Sequence, residues 1–127
     1  MAEKEAQFRF LNYRITEAFI KLNSEIETSD ELEVNFEQTI GVHETENRMR
    51  LLLNTSIKDK NDALSITVKA EGYFEFDKEL DEDMKDGFFN ANAPAILFPY
   101  IRAYISTLST LSGVKPIVLP TLNLSQR

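Results

Sequence analysis

Apolar and polar positions alternate over two long stretches of the chain, then give way to a helical spacing. Leu32, Val34, Phe36, Ile40 and Val42 share one parity while Glu31, Glu33, Asn35, Glu37 and Thr39 take the other, the pattern of a half-buried strand. Gln38 interrupts its apolar row. His43 to Asn47 reads as a polar turn, after which Met49, Leu51, Leu53 and Ile57 alternate with Arg48, Arg50 and Asn54. The two segments are predicted to pair as a hairpin. Asp59 to Asp62 supplies the next turn. Leu64, Ile66, Val68, Ala70, Phe74 and Phe76 then alternate with polar residues in the most regular strand, where Gly72 marks a bulge or a close approach.

The first strand changes parity twice. Phe8 and Phe10 agree, Leu11, Tyr13, Ile15 and Phe19 take the opposite parity, and Ala18, Ile20 and Leu22 switch back. Such switches imply bulges, or a strand that is apolar on both faces. Leu80 to Gly87 is a polar run with a short helical turn.

From Asn92 to Ser112 the spacing is helical: Ile96, Leu97, Ile101, Tyr104, Ile105, Leu108 and Leu111 recur at three and four residues. Asn92 is expected to cap the start, Pro94 suits the first turn, and Gly113 suits a left-handed terminus. Pro99 removes a backbone donor past the first turn, so the helix begins late or is kinked there. An apolar tail broken by Pro116 and Pro120 follows, from Val114 to Leu124. The fold class is therefore α+β, a four-stranded antiparallel sheet followed by one long helix and an extended Pro-containing tail, with residues 1–127 as one domain.

Dimensions then matter. Four strands of about ten residues present a face of roughly 19 by 33 Å, and a helix of about 19 residues covers roughly 28 by 10 Å of it. The tail covers part of the remainder, and a second subunit in a two-fold contact is expected to cover more.

Composition narrows the function. No stretch approaches the roughly 20 apolar residues of a membrane span, and MAEKEAQ has no apolar signal core, so a cytoplasmic location without membrane insertion is expected. The absence of cysteine removes disulfides and thiolate chemistry. A net charge of −7, from 14 basic and 21 acidic residues, repels phosphate backbones and argues against a nucleic-acid partner.

Catalytic chemistry has little to build on. His43 is the sole histidine and lies in a turn. The carboxylates from Asp77 to Asp86 lack the alternate spacing and central glycine of a calcium loop. Four scattered glycines make no phosphate-cradling loop. No enzyme activity, cofactor or metal is expected. What stands out is apolar surface around the junction of sheet and helix and along the tail, where each side chain serves either as core or as contact.

Ile96 to Arg102, ILFPYIR, resembles the motif that opens the first main helix of the SecB protein-export chaperones after their four-stranded sheet. The likeness covers Pro94, Ile96, Leu97, Phe98, Pro99, Tyr100, Arg102 and Ile105, and Gly113 to Leu124 is similar to the crossover segment of that family. Ala103 stands where an acidic residue commonly follows the motif arginine. The chain stops at Arg127, where family members continue into a second long helix, so a short branch lacking that helix is the expected placement. The resemblance implies an ATP-independent holdase that binds unfolded or preprotein polypeptides as a homodimer or homotetramer, with the translocase motor SecA as a further partner. On this reading Phe88, Phe89, Tyr104, Leu108, Ile117, Val118 and Leu119 are the polypeptide-binding residues, and Phe98, Pro99 and Tyr100 are structural. An adaptor with one dedicated protein partner and a binder of a small apolar ligand are the alternatives.

Overall fold

The computed structural model describes residues 7–120. Four strands form one antiparallel sheet: β1 (Phe8–Leu22), β2 (Leu32–His43), β3 (Arg48–Asp59) and β4 (Leu64–Phe76), in the order β1-β4-β3-β2. The first strand thus closes onto the last, which leaves β1 and β2 as the edges. A 3-10 turn, Glu44–Glu46, joins β2 to β3, and Asn47 adopts the left-handed conformation that lets the chain reverse.

Both parity switches in β1 are bulges. The pairing register with β4 shifts between Phe10 and Asn12 and again between Ile15 and Glu17. Each inserted residue turns the next apolar side chain back to the same face, so Phe10, Tyr13, Ile15 and Ile20 all lie opposite inward residues of β4. Gly72 is a close approach: a Cβ there would meet the Phe74 ring at 3.0 Å and Leu97 at 3.2 Å.

The core sits over the two central strands. On that face Met49, Leu51, Leu53 and Ile57 of β3 and Leu64, Ile66, Val68, Ala70, Phe74 and Phe76 of β4 are buried. Their counterparts on the edges are not: Phe8, Phe10, Val34, Phe36 and Ile40 are half-buried, and Tyr13, Leu22, Leu32 and Val42 are exposed.

Asp59 is buried at the end of β3, where its carboxylate accepts the N–H groups of Ser29, Ala63 and Leu64 at 2.8–2.9 Å. Burial pushes its pKa up, but these donors and that of Asn61 together bring it below the usual value. The carboxylate clasps the β3–β4 turn to the loop before β2.

The helical part begins earlier than its sequence pattern predicts. α1 (Glu82–Gly87), capped by Asp81, runs through a π-helical turn at Phe88–Asn92 into α2 (Ala93–Leu111). Asn92 is therefore inside helical backbone and makes no side-chain cap. The wide turn removes the need for one, because upstream carbonyls meet the donors a free helix start would leave open. Pro99 lies within α2. Ala93, Leu97, Phe98, Ile101 and Ile105 face the sheet, each such burial being worth about 1.5–3 kcal/mol for the large side chains. Gly113, at φ +86°, ends α2 as expected, its N–H donating to Thr110 and that of Val114 to Ser109. Leu122 and the remainder of the predicted tail to Leu124 lie outside the described residues.

Candidate functional site

One flank of α2 is apolar and open. Tyr100, Tyr104, Leu108 and Leu111 follow each other at intervals of four, four and three, so they line the same side of the helix. Tyr100 stacks on Tyr13 of β1 with ring centroids 4.4 Å apart, and Phe10 lies 5.7 Å from Tyr100. The stack sets this flank against the half-covered edge strand. Tyr13, Tyr100 and Tyr104 are each 37–40% exposed and Leu111 is 82% exposed. The whole of α2 carries a single charged residue, Arg102, and Ala95, Pro99, Ala103, Thr107 and Thr110 on its outward side are exposed and uncharged. A solvent-facing helix normally carries charges there.

The tail extends the apolar surface around the helix end. Ser109 is fully buried, donates to the Ser106 carbonyl at 3.0 Å and accepts the Ile117 N–H at 2.9 Å. This pins the tail so that Ile117 and Leu119 point into the core while Val118, between them, is 73% exposed. A cleft of about 220 Å³ opens between tail and loop, lined by Thr28, Ser29, Leu32, Leu64, Pro116 and Val118 among others. An ion pair of Lys115 with Asp30, at 3.4 Å, spans its rim.

The seven polypeptide-binding residues named from sequence fall into three groups. Phe89, Ile117 and Leu119 are buried in the core of the chain, Phe89 against Phe76 at 5.3 Å. Tyr104 and Val118 are exposed, while Phe88, stacked on Phe8 at 5.1 Å, and Leu108 are half-buried. Sequence reasoning passed over Tyr13, Tyr100 and Leu111 as surface residues. Their signal was available in part: Tyr100 and Leu111 stand four before and seven after Tyr104, hence on its side of the helix.

The polar residues weighed for chemistry serve local structure. His43 Nδ1 accepts the Glu46 N–H at 3.3 Å, and Asp81 accepts that of Met84 at 2.8 Å. Among the described residues no group of three or more His, Cys, Asp or Glu is arranged to hold a metal ion. No helix among them is long and apolar enough to cross a membrane.

Residues 11–126 match the family described as SecB, preprotein translocase subunit SecB. An uncharacterised protein of Methanocaldococcus jannaschii is 30% identical over 132 residues, covering 98% of this chain and 84% of that protein. The protein-export protein SecB of Anaplasma phagocytophilum is 32% identical over 72 residues, which are 55% of this chain and 46% of that protein. Among solved structures, the SecB-like chaperone of Mycobacterium tuberculosis, in complex with a ChAD peptide from the HigA1 antitoxin, superposes with a TM-score of 0.77 at 15% identity, over 91% of this chain and 88% of that one. The two share the four-stranded antiparallel sheet followed by a long helix.

Proposed function

The chain belongs to the SecB family, and from that premise we propose that it is an ATP-independent holdase, binding extended apolar stretches of unfolded or preprotein polypeptides along the open flank of α2 and around the tail. Family and fold support a chaperone-like role. The observation that carries the finer reading is the uncovered strip beside α2, where Tyr13, Tyr100, Tyr104 and Leu111 stay exposed because one helix is narrower than the sheet. Covering about 300 Å² of such apolar area is worth about 7 kcal/mol before the cost of ordering the client. That gives weak, reversible capture with little sequence preference, and no step in it uses nucleotide. Val118 and the half-buried Phe88 and Leu108 extend the contact beyond Tyr104.

The uncharged outward side of α2 is the proposed surface of self-association, as a two-fold homodimer or a tetramer built from it. Delivery to the translocase motor SecA is the export form of this function. A dedicated partner is the second reading, favoured by the M. tuberculosis protein of the same fold, which is in complex with a peptide from one antitoxin.

The deciding experiment follows aggregation of several unrelated denatured proteins by light scattering, with and without the purified chain, alongside its mass in solution. Suppression across most substrates by an oligomer supports the holdase. One stoichiometric partner in a pull-down, with no general suppression, supports the adaptor. A monomer that protects nothing overturns the proposal.

A further inference from the structure

The sheet face turned away from α2 differs in charge from the rest of the chain. The pairing registers place seven Lys or Arg and five Glu side chains on it. Since the sequence holds 14 basic and 21 acidic residues, the remainder is strongly acidic. The positive excess gathers at one end of the face, in three successive ladder rows that hold Arg9, Arg14, Arg48 and Arg50 against Glu71 and Glu75 alone.

These arginines are not equivalent. Arg9 and Arg48 share Glu75, at 2.9 and 3.4 Å, and Arg9 also reaches Asp77. Arg14 donates to the Tyr73 hydroxyl at 3.1 Å, and Tyr73 in turn donates to Glu71. Arg50 has no hydrogen-bond or ion-pair partner among the described residues, and it is exposed. Its cross-strand neighbour on β2 is Gly41, where an added Cβ would meet nothing within 4 Å, so the sheet surface beside it is bare. A cleft of about 320 Å³ lies here, lined by Leu11, Gly41, His43, Arg48, Arg50 and Tyr73 among others, and a neighbouring one shares Leu11, Arg48 and Tyr73 and adds Arg14. Leu11 is the bulged residue of β1 and projects as an exposed apolar wall at 43%.

We propose that this end of the outer sheet face is a second docking site, for an extended acidic peptide segment with carboxylates two residues apart followed by an apolar residue. Arg48 and Arg50 stand two apart on one strand, so their roots are about 6.8 Å from each other, the spacing at which alternate side chains of an extended partner repeat. Guanidinium groups pair with carboxylates in the fork geometry that makes Arg the preferred partner. The next side chain on that side of the partner then rests on Leu52, the following outward residue of β3, with the Tyr73 ring flanking Arg50 in the neighbouring strand. A nucleic acid fits less well, because Glu71 and Glu75 interrupt the row and the whole chain is acidic. The site is separate from the apolar flank of α2 and does not depend on the holdase reading.

The test uses the full chain and fluorescein-labelled peptides. GESESLG is titrated against GQSQSLG, its neutral counterpart, with a ten-residue oligothymidylate as the competing class. Saturable binding of the acidic peptide that weakens as salt rises, is at least tenfold weaker for the neutral one, and falls at least tenfold in Arg50→Glu is expected. Arg50 has no partner to lose, so this variant keeps the parent unfolding midpoint and any aggregation suppression. Equal binding of both peptides, tighter binding of the oligonucleotide, unchanged affinity in Arg50→Glu, or no saturation by 1 mM peptide each overturns the proposal.

Discussion

Thr55 is fully buried on the helix-covered face of β3, and its Oγ1 has no hydrogen-bond partner. An orphaned hydroxyl costs its desolvation without return, so Thr55→Val, which keeps the shape, is expected to stabilise the chain by about 1 kcal/mol, read from urea unfolding. Asp59 is the opposite case. Removing its carboxylate in Asp59→Ala strands backbone donors of Ser29, Ala63 and Leu64 and costs about 3 kcal/mol. Its pKa is lowered in the folded state, so its contribution is complete above the unfolded value of about 4 and is lost as pH falls through that value toward the folded one. Unfolding curves between neutral and acid pH check this, because Asp59→Asn flattens that part of the stability profile. The inward placement of both was legible, since Thr55 and Asp59 share the parity of Met49, Leu51, Leu53 and Ile57, but the missing partner of one and the three backbone donors of the other were not, because loop geometry sets them.

Whole segments were far more legible than single atoms. Alternation gave all four strands, and the two parity switches in β1 matched the two bulges, because each inserted residue shifts a period of two by one. The helix start was misread for a physical reason. Asn92 is a strong capping residue type, but a π turn at Phe88–Asn92 carries helical backbone across it, and such a turn leaves no mark in apolar spacing. Strand-like alternation in the tail was overlooked: Ile117 and Leu119 point inward and Val118 outward, so the three could not share one contact face. What fixes that orientation is Ser109. Ser109→Ala leaves the buried Ile117 N–H without its acceptor and is expected to cost about 1–2 kcal/mol. Hydrogen exchange discriminates the cause, since the Ile117 amide is expected to exchange faster while amides of β3 and β4 keep their relative protection.

The whole molecule is shaped by a mismatch of widths. α2 seals β3 and β4, and the edge strands keep apolar side chains half in water, with Tyr13, Tyr104 and Leu111 exposed beside a helix that carries one charge. If that strip receives apolar stretches of client, putting charge on it must lower capture without unfolding the chain. Tyr104 and Leu111 are suited to the test because both are exposed, so substitutions there are expected to change stability by about 0.5 kcal/mol or less each. Leu108 is less suited, being packed against the core. Sign separates local contact from long-range field. Tyr104→Lys with Leu111→Lys makes the chain less acidic than its −7, and Tyr104→Glu with Leu111→Glu makes it more so. Loss of apolar contact predicts a severalfold drop in aggregation suppression for both pairs, whereas attraction of basic clients to an acidic field predicts a drop for the lysine pair and a gain for the glutamate pair. Full suppression by both pairs, at an unchanged unfolding midpoint, would place client capture elsewhere on the molecule.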